Sequence, residues 1–204
     1  KKTAILRVDP ETIPALLAPI FHADQKRRAI EEGRLLATGL NAGPGAASAS
    51  VVFTSKGAQE KAAKGEKSIL VRLETSPEDI IGMEASEGIL TARGGMTSHA
   101  AVVARGMNKP CVVGCSGLHV EEKEGRMTVK NAAGETITVY EGEPISIDGS
   151  TGEVIRGHLE TVPSEIDQAL SQKSGDASIL AENFLRLMTW ADEVRRLRVR
   201  ANAD

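Results

Sequence analysis

The stretch from Ser68 to Cys115 constrains the fold more than any other part of the chain. "SILVRL" is an apolar run of strand length. "TSPEDIIGM" is a helix start: Thr75 or Ser76 is the cap, Pro77 takes the first helical position, and Glu78 and Asp79 face the positive end of the helix dipole. "EGILTA" reads as a second strand and "GGMTS" as a loop. "HAAVVARGM" is a second helix with Gly106 near its end, and "PCVVGC" is a third strand. Strands that alternate with helices in this way build an α/β fold.

The pattern changes from 118 to 156. "RMTVK", "ETITVY", "PISIDG" and "GEVIRG" are short alternating strands joined by glycine turns, an antiparallel pattern. Upstream, "NAGPGAASAS" is a small-residue turn that runs into the strand "VVF", and "SKGAQEKAAKGE" is a short polar helix. Residues 10–38 read as helical with breaks at Pro14 and Pro19, and Gly39 is the stop. From Pro163 onward "SEIDQAL" and "SILAENFLRLMTWADEVRRLR" read as helices, and "LRVRANAD" as the start of a strand. The expectation is an α/β core at 41–160 between helical arms at 1–40 and 161–204. Such arms suggest a domain joined to two neighbours and moving relative to them. The opening "KKTAILRVDP", without a methionine, suggests a fragment or a processed product.

Composition narrows the function. Apolar residues make up 41% of the 204, but aromatics only 2%, so the core must be built from Ala, Val, Ile and Leu. The net charge of −3 gives no basic field to gather nucleic acid, and so few aromatics leave little for base stacking. There is no run of 18 apolar residues, so no membrane span is expected. Cys111 and Cys115 are spaced too widely for a C-x-x-C redox pair, and no second pair follows to complete a zinc site. They read as buried strand cysteines in a reducing, intracellular setting.

The chemistry concentrates in "GGMTSHAAVVARG", residues 94–106. Gly94 and Gly95 let the backbone approach a ligand closely. A β-branched side chain at Gly95 is expected to crowd that loop. Thr97 and Ser98 are helix-cap residues. His99 falls in the first helical turn, where free N–H groups and the helix dipole favour an anion. An imidazole there is a nucleophile whose phosphorylated form the helix start can hold. The apolar run Ala100–Ala104 should be buried and hold the loop rigid. Arg93 and Arg105 flank the element within reach of phosphate oxygens. A serine-hydrolase reading fails, because Ser98 is adjacent to His99 and there is no G-x-S-x-G elbow. A metal reading lacks partners, because His22, His119 and His158 are scattered and read as exposed surface residues.

"GGMTSHAAVVAR" resembles the phosphohistidine signature of the PEP-utilising enzymes and matches it without departure. "GLNAGPGAASASVVF" looks like the entry strand of that family's swivelling domain. The run "ILVRLETSPEDIIGMEASEGILTARGGMTSHAAVVARGM" and the closing "MTWADEVRRLRVRANAD" are similar to the dikinase branch, so the resemblance spans essentially the whole chain. It implies a swivelling β/β/α phosphohistidine domain flanked by linker arms, the second leading into a PEP/pyruvate-binding barrel. The implied reaction interconverts ATP, phosphate and pyruvate with AMP, pyrophosphate and PEP. His99 would be the phosphoryl carrier, supported by Arg93, Gly94, Gly95, Thr97 and Ser98. The implied partners are an ATP-binding domain and a PEP/pyruvate-binding domain of the same polypeptide, in a parent that is a homodimer. The implied Mg2+ sits on those domains, with no metal or cofactor expected on this chain. Thr97 matches a position that a regulatory kinase and phosphatase act on in plant-type relatives. The parent is expected to be intracellular, in the cytoplasm or, with a targeting signal missing from this stretch, in a chloroplast or another organelle. The alternatives are the synthase, enzyme I of the sugar phosphotransferase system, and a non-catalytic docking module with an inert histidine.

Overall fold

The computed structural model describes residues 1–130, 135–171 and 178–197. The helices are α1 (Lys2–Ile5), α2 (Ile13–Leu17), α3 (Ala23–Glu31), α4 (Ser55–Ala63), α5 (Ile80–Ala85), α6 (His99–Gly106), α7 (Glu165–Ser171) and α8 (Ile179–Val194). The strands are β1 (Ile20–Phe21), β2 (Leu35–Thr38), β3 (Leu40–Gly43), β4 (Ala46–Val52), β5 (Ser68–Arg72), β6 (Gly88–Thr91), β7 (Cys111–Val113), β8 (Leu118–Glu121), β9 (Arg126–Lys130), β10 (Thr136–Tyr140), β11 (Pro144–Asp148), β12 (Glu153–Arg156) and β13 (Thr161–Val162).

Two compact units result. One is Ala18–Val162; the other combines Lys1–Leu17 with the segment from Pro163 on. The first begins upstream of residue 41, where the sequence pattern turns from helical to strand-like.

The Ala18–Val162 unit is built on an eight-stranded sheet of order β2-β12-β11-β4-β5-β6-β7-β3. Its centre, β4-β5-β6-β7, is parallel. Parallel neighbours need a crossover, and α4, α5 and α6 supply the three in turn. The outer strands run antiparallel. Register places Val52, Leu70, Ile89 and Cys111 in one row across the parallel strands. All four are buried beneath Ala58 of α4, Met83 of α5 and Ala100, Ala101 and Ala104 of α6. The opposite face presents Val51, Ile69, Val71, Leu90 and Val112. It packs on Leu118, Met127, Val129 and Val139 of a separate antiparallel sheet, β10-β9-β8. Helices, large sheet and small sheet form three layers in a mixed α/β, β/β/α architecture. The central strands are apolar on both faces because both faces are covered.

Two helices of the first layer are in close contact at Gly82 of α5. A Cβ there would lie 2.5 Å from the Cα of Ser55, at the start of α4.

The structure departs from the sequence reading over 10–45. "RLLAT" is not a continuation of α3. Gly33 takes a left-handed φ of 76° and its N–H bonds to Ile30 O, which ends the helix there rather than at Gly39. Leu35, Ala37 and Thr38 then pair with β12. The small-residue segment expected to be one turn is mostly strand, β3 and β4, bent at Gly45, whose φ is 115°.

The second unit is helical. Within it α1 packs on α8, and α2 and α8 pack on α7. Of the arms expected at 1–40 and 161–204, Lys1–Leu17 and the segment from Pro163 on share one unit, while residues 18–40 belong to the other. Lys1 pairs with Glu193 at 2.6 Å. Ser178 caps α8 by accepting from Ala181 N. The expected closing strand "LRVRANAD" falls, beyond Leu197, outside the described residues.

Candidate functional site

The turn between β6 and α6 holds His99. Ser98 is the N-cap of α6: its φ and ψ are extended, and its Oγ accepts from Ala101 N at 3.4 Å. Thr97 takes no part in this cap and is exposed. The α6 face toward the sheet is alanine, but Val102 is 54% exposed, so the helix is buried on one side and not all round.

The two glycines differ. Gly94 has φ 110°, and a Cβ on it would lie 3.0 Å from both Cβ and Oγ of Ser98. Gly95 is not in the left-handed region, and a Cβ on it would meet nothing within 4 Å. The crowding expected at Gly95 is therefore located at Gly94. Beneath the turn, Gly114 (φ 67°) sits against the Gly94 carbonyl, and a Cβ there would lie 2.6 Å from that oxygen. Arg105 closes the turn from the other side: its guanidinium donates to Met96 O at 2.5 Å and to Ala101 O at 3.1 Å. Arg105 thus holds the loop's backbone. Arg93 is exposed, and its side chain has no ion pair or hydrogen bond among the described residues.

The sequence reading missed Thr75. Of the two cap candidates, Thr75 and Ser76, it is Ser76 that fills the place, with Ser76 N donating to Asp79 Oδ2 at 2.9 Å. Thr75 Oγ1 instead lies 3.1 Å from His99 Nδ1. When Nδ1 carries the ring proton and donates to Thr75, the lone pair on Nε2 is left free. His99 is half-buried, so the ring is fixed but reachable. The first turn of α6 also offers the N–H groups of His99 and Ala100, which precede the helix's own bonding pattern. A nucleophilic nitrogen and an anion-binding helix start therefore adjoin.

Residues 64–152 match the family of PEP-utilising enzymes, specifically its mobile domain. All 204 residues also align with pyruvate, phosphate dikinases. Identity is 46% with "Pyruvate, phosphate dikinase 1, chloroplastic" of Arabidopsis thaliana, covering 19% of that protein. It is 44% with the Clostridium symbiosum enzyme, covering 21%, and 42% with that of Rhizobium meliloti, covering 20%. The chain thus spans about a fifth of the length of the curated relatives it matches, in which this domain is one part of a larger polypeptide.

The remaining histidines lie elsewhere and are exposed. His22 borders an open cleft of about 380 Å³ with Arg28, Arg34 and Glu160. His158 bonds Ser48 Oγ through Nδ1 at 2.8 Å. His119 lies on β8. Cys111 and Cys115 are free thiols, both buried, and burial pushes each up to about 12. Among the described residues no helix is long and apolar enough to cross a membrane.

Proposed function

We propose that this chain is the phosphocarrier domain of a pyruvate, phosphate dikinase, with His99 Nε2 as the atom that carries the phosphoryl group. The observation that supports this most directly is the 3.1 Å contact between Thr75 Oγ1 and His99 Nδ1 at the start of α6. It orients the ring and, with Nδ1 as the donor, leaves the lone pair of Nε2 as the nucleophile.

Nε2 attacks the β-phosphorus of ATP, the bond from that phosphorus to the α-phosphate bridge breaks, and AMP leaves with the electron pair. Inorganic phosphate then takes the terminal phosphoryl group as pyrophosphate. Phosphohistidine remains, and the enolate oxygen of pyruvate takes its phosphoryl group to give PEP. Each transfer needs the substrate's charge held in place more than it needs new covalent chemistry. On this chain the α6 N-terminus supplies that function, with the turn of Gly94 and Gly95 bringing the backbone close. Arg93, exposed beside the turn, is placed to meet phosphate oxygens of a docked donor.

The nucleotide and pyruvate sites belong to other domains of the same polypeptide, between which this domain swivels, and the residues on either side of it serve as linkers. Mg2+ neutralises polyphosphate charge in such transfers. Among the described residues no three His, Cys, Asp or Glu side chains gather to hold a cation, and no step on this chain is routed through one. Thr97, exposed and outside the cap, is the residue a regulatory kinase and phosphatase would act on. A phosphate there would compete for the same helix start that His99 needs. The parent is a homodimer in the cytoplasm or chloroplast, a reducing setting that suits two free cysteines.

The test is labelling of the full-length parent with ATP carrying label on the β-phosphate, followed by proteolysis. Acid-labile, base-stable label on the peptide with His99, abolished in His99→Ala, is expected. Labelling by PEP and never by ATP would assign the domain to an enzyme I type instead. No label from either donor would leave an inert docking module.

A further inference from the structure

Thr75 can orient His99 only if the segment that carries it is itself held. That segment runs from the end of β5 to α5, and three charged side chains fasten it. The Arg72 guanidinium donates through one nitrogen to Phe53 O at 3.0 Å and to Glu122 Oε2 at 2.8 Å. Its Nε lies 3.5 Å from Asp79 Oδ1, an ion pair without a hydrogen bond. Each carboxylate uses its second oxygen on the backbone of the segment. Glu122 Oε1 accepts from Leu73 N at 3.2 Å, and Asp79 Oδ2 accepts from Ser76 N at 2.9 Å. The two anchored amides flank Glu74 and Thr75, so the hydroxyl that meets His99 sits between two fixed points.

The same segment is joined to the strand end that leads into the glycine turn. Ala92 N donates to Arg72 O at 3.1 Å, and Arg93 N donates to Leu73 O at 2.8 Å. Asp79 is 4% exposed, while the Arg72 and Glu122 side chains are 21% and 29% exposed. Glu122 comes from the short 3₁₀ turn Glu122–Glu124 between β8 and β9. The small sheet therefore contributes a charge to a loop of the helix-bearing sheet.

We propose that Arg72, Asp79 and Glu122 form a positioning unit for the phosphoryl-carrying imidazole, acting through Thr75. This rests on the carrier reading of His99. None of the three touches His99 or the transferred group. Their effect is to hold the Thr75 hydroxyl on Nδ1 and so to fix the ring orientation; with Nδ1 donating to that hydroxyl, Nε2 is presented bare.

The test uses this chain with 15N-labelled histidine, as wild type and as Glu122→Gln, Asp79→Asn and Thr75→Val. Glu122→Gln and Asp79→Asn keep shape and an acceptor for the backbone amide, but remove the charge that fastens Arg72. In wild type the two ring nitrogens of His99 should be well separated, one protonated and one bare. In all three variants they should move toward each other as the tautomers mix, while His22 and His158 report an intact fold. In the full-length parent carrying the same substitutions, the labelling rate at saturating ATP should fall roughly 10- to 100-fold, the scale of a small misplacement, with KM for ATP unchanged.

His99 ring signals identical to wild type in both Glu122→Gln and Asp79→Asn would overturn the inference. So would a change in KM alone. The carrier reading is judged separately: if the ring signals respond but the wild-type parent takes no label, the positioning unit stands and the carrier reading falls.

Discussion

Gly94→Ala is the substitution that most directly probes the turn. Two costs add. The first is conformational: φ is 110° at Gly94, a region closed to most L side chains, and holding alanine there costs about 1–3 kcal/mol. The second is steric. The new Cβ would lie 3.0 Å from both Cβ and Oγ of Ser98, so Ser98 must shift, and Ser98 is the cap of α6. An N-cap is worth about 1 kcal/mol, and the 3.4 Å bond here belongs at the low end, about 0.5 kcal/mol. Together the loss is about 1.5–3.5 kcal/mol. For a domain of this size, each kcal/mol moves Tm by about 2–4 °C, so a fall of about 3–14 °C is expected in thermal denaturation. Gly95→Ala is the control. Its Cβ meets nothing within 4 Å and its φ is not left-handed, so Tm should stay level or rise slightly, by the about 0.4–1 kcal/mol that alanine gains over glycine through the unfolded chain. Equal Tm values for wild type and Gly94→Ala would refute the reasoning. So would a loss at Gly95→Ala as large as that at Gly94→Ala.

Thr75→Val keeps the shape but removes the hydroxyl, and should slow labelling of His99 about 10-fold, the worth of about one hydrogen bond; an unchanged rate of label uptake would count against the pairing. Arg105→Met frees the Met96 carbonyl, and amide exchange over residues 94–98 should quicken while β4–β7 stay protected; equal exchange would show that the guanidinium does not brace the turn. Cys111 and Cys115 should resist a thiol reagent at pH 8 in the native state and react on denaturation. Burial holds both thiols up to about 12, well above an unfolded thiol, so their neutral form stabilises the fold below about pH 8.5 and that contribution is lost as pH rises toward 12. A denaturation midpoint that stays flat from pH 8 to 11 would contradict this.

What could be read ahead of the structure follows from where each choice is made. β5, β6 and β7 are legible because strands covered on both faces show as short apolar runs, and α6 because Ser98 and its alanines are local signals. β2 was not. Leu35 and Leu36 follow α3 at helical spacing, and only pairing with β12, more than a hundred residues on, makes them strand. At the site, His99, Ser98 and Gly94 come from one continuous stretch. Thr75 lies 24 residues away, and no spacing rule brings it in. It arrives because β5 and β6 are parallel neighbours whose ends place their following loops side by side. The distinction between Gly94 and Gly95 was hidden for the same reason. Gly94 takes the left-handed turn with its carbonyl against Gly114, twenty residues on, where a Cβ would lie 2.6 Å from that oxygen, a contact that no local pattern reveals.

The pairing of β1 with β13 has a consequence of another kind. Ile20 is opposite Val162, and Phe21 opposite Thr161. The chain therefore enters and leaves the Ala18–Val162 body at one place, about a strand's width apart. A segment whose two ends meet can be lifted out of a longer chain, or inserted into another, without stretching either the segment or its host. Gene rearrangement could therefore trade such a body between enzymes as a finished piece, with its sheet, its histidine turn and its brace of charges travelling together.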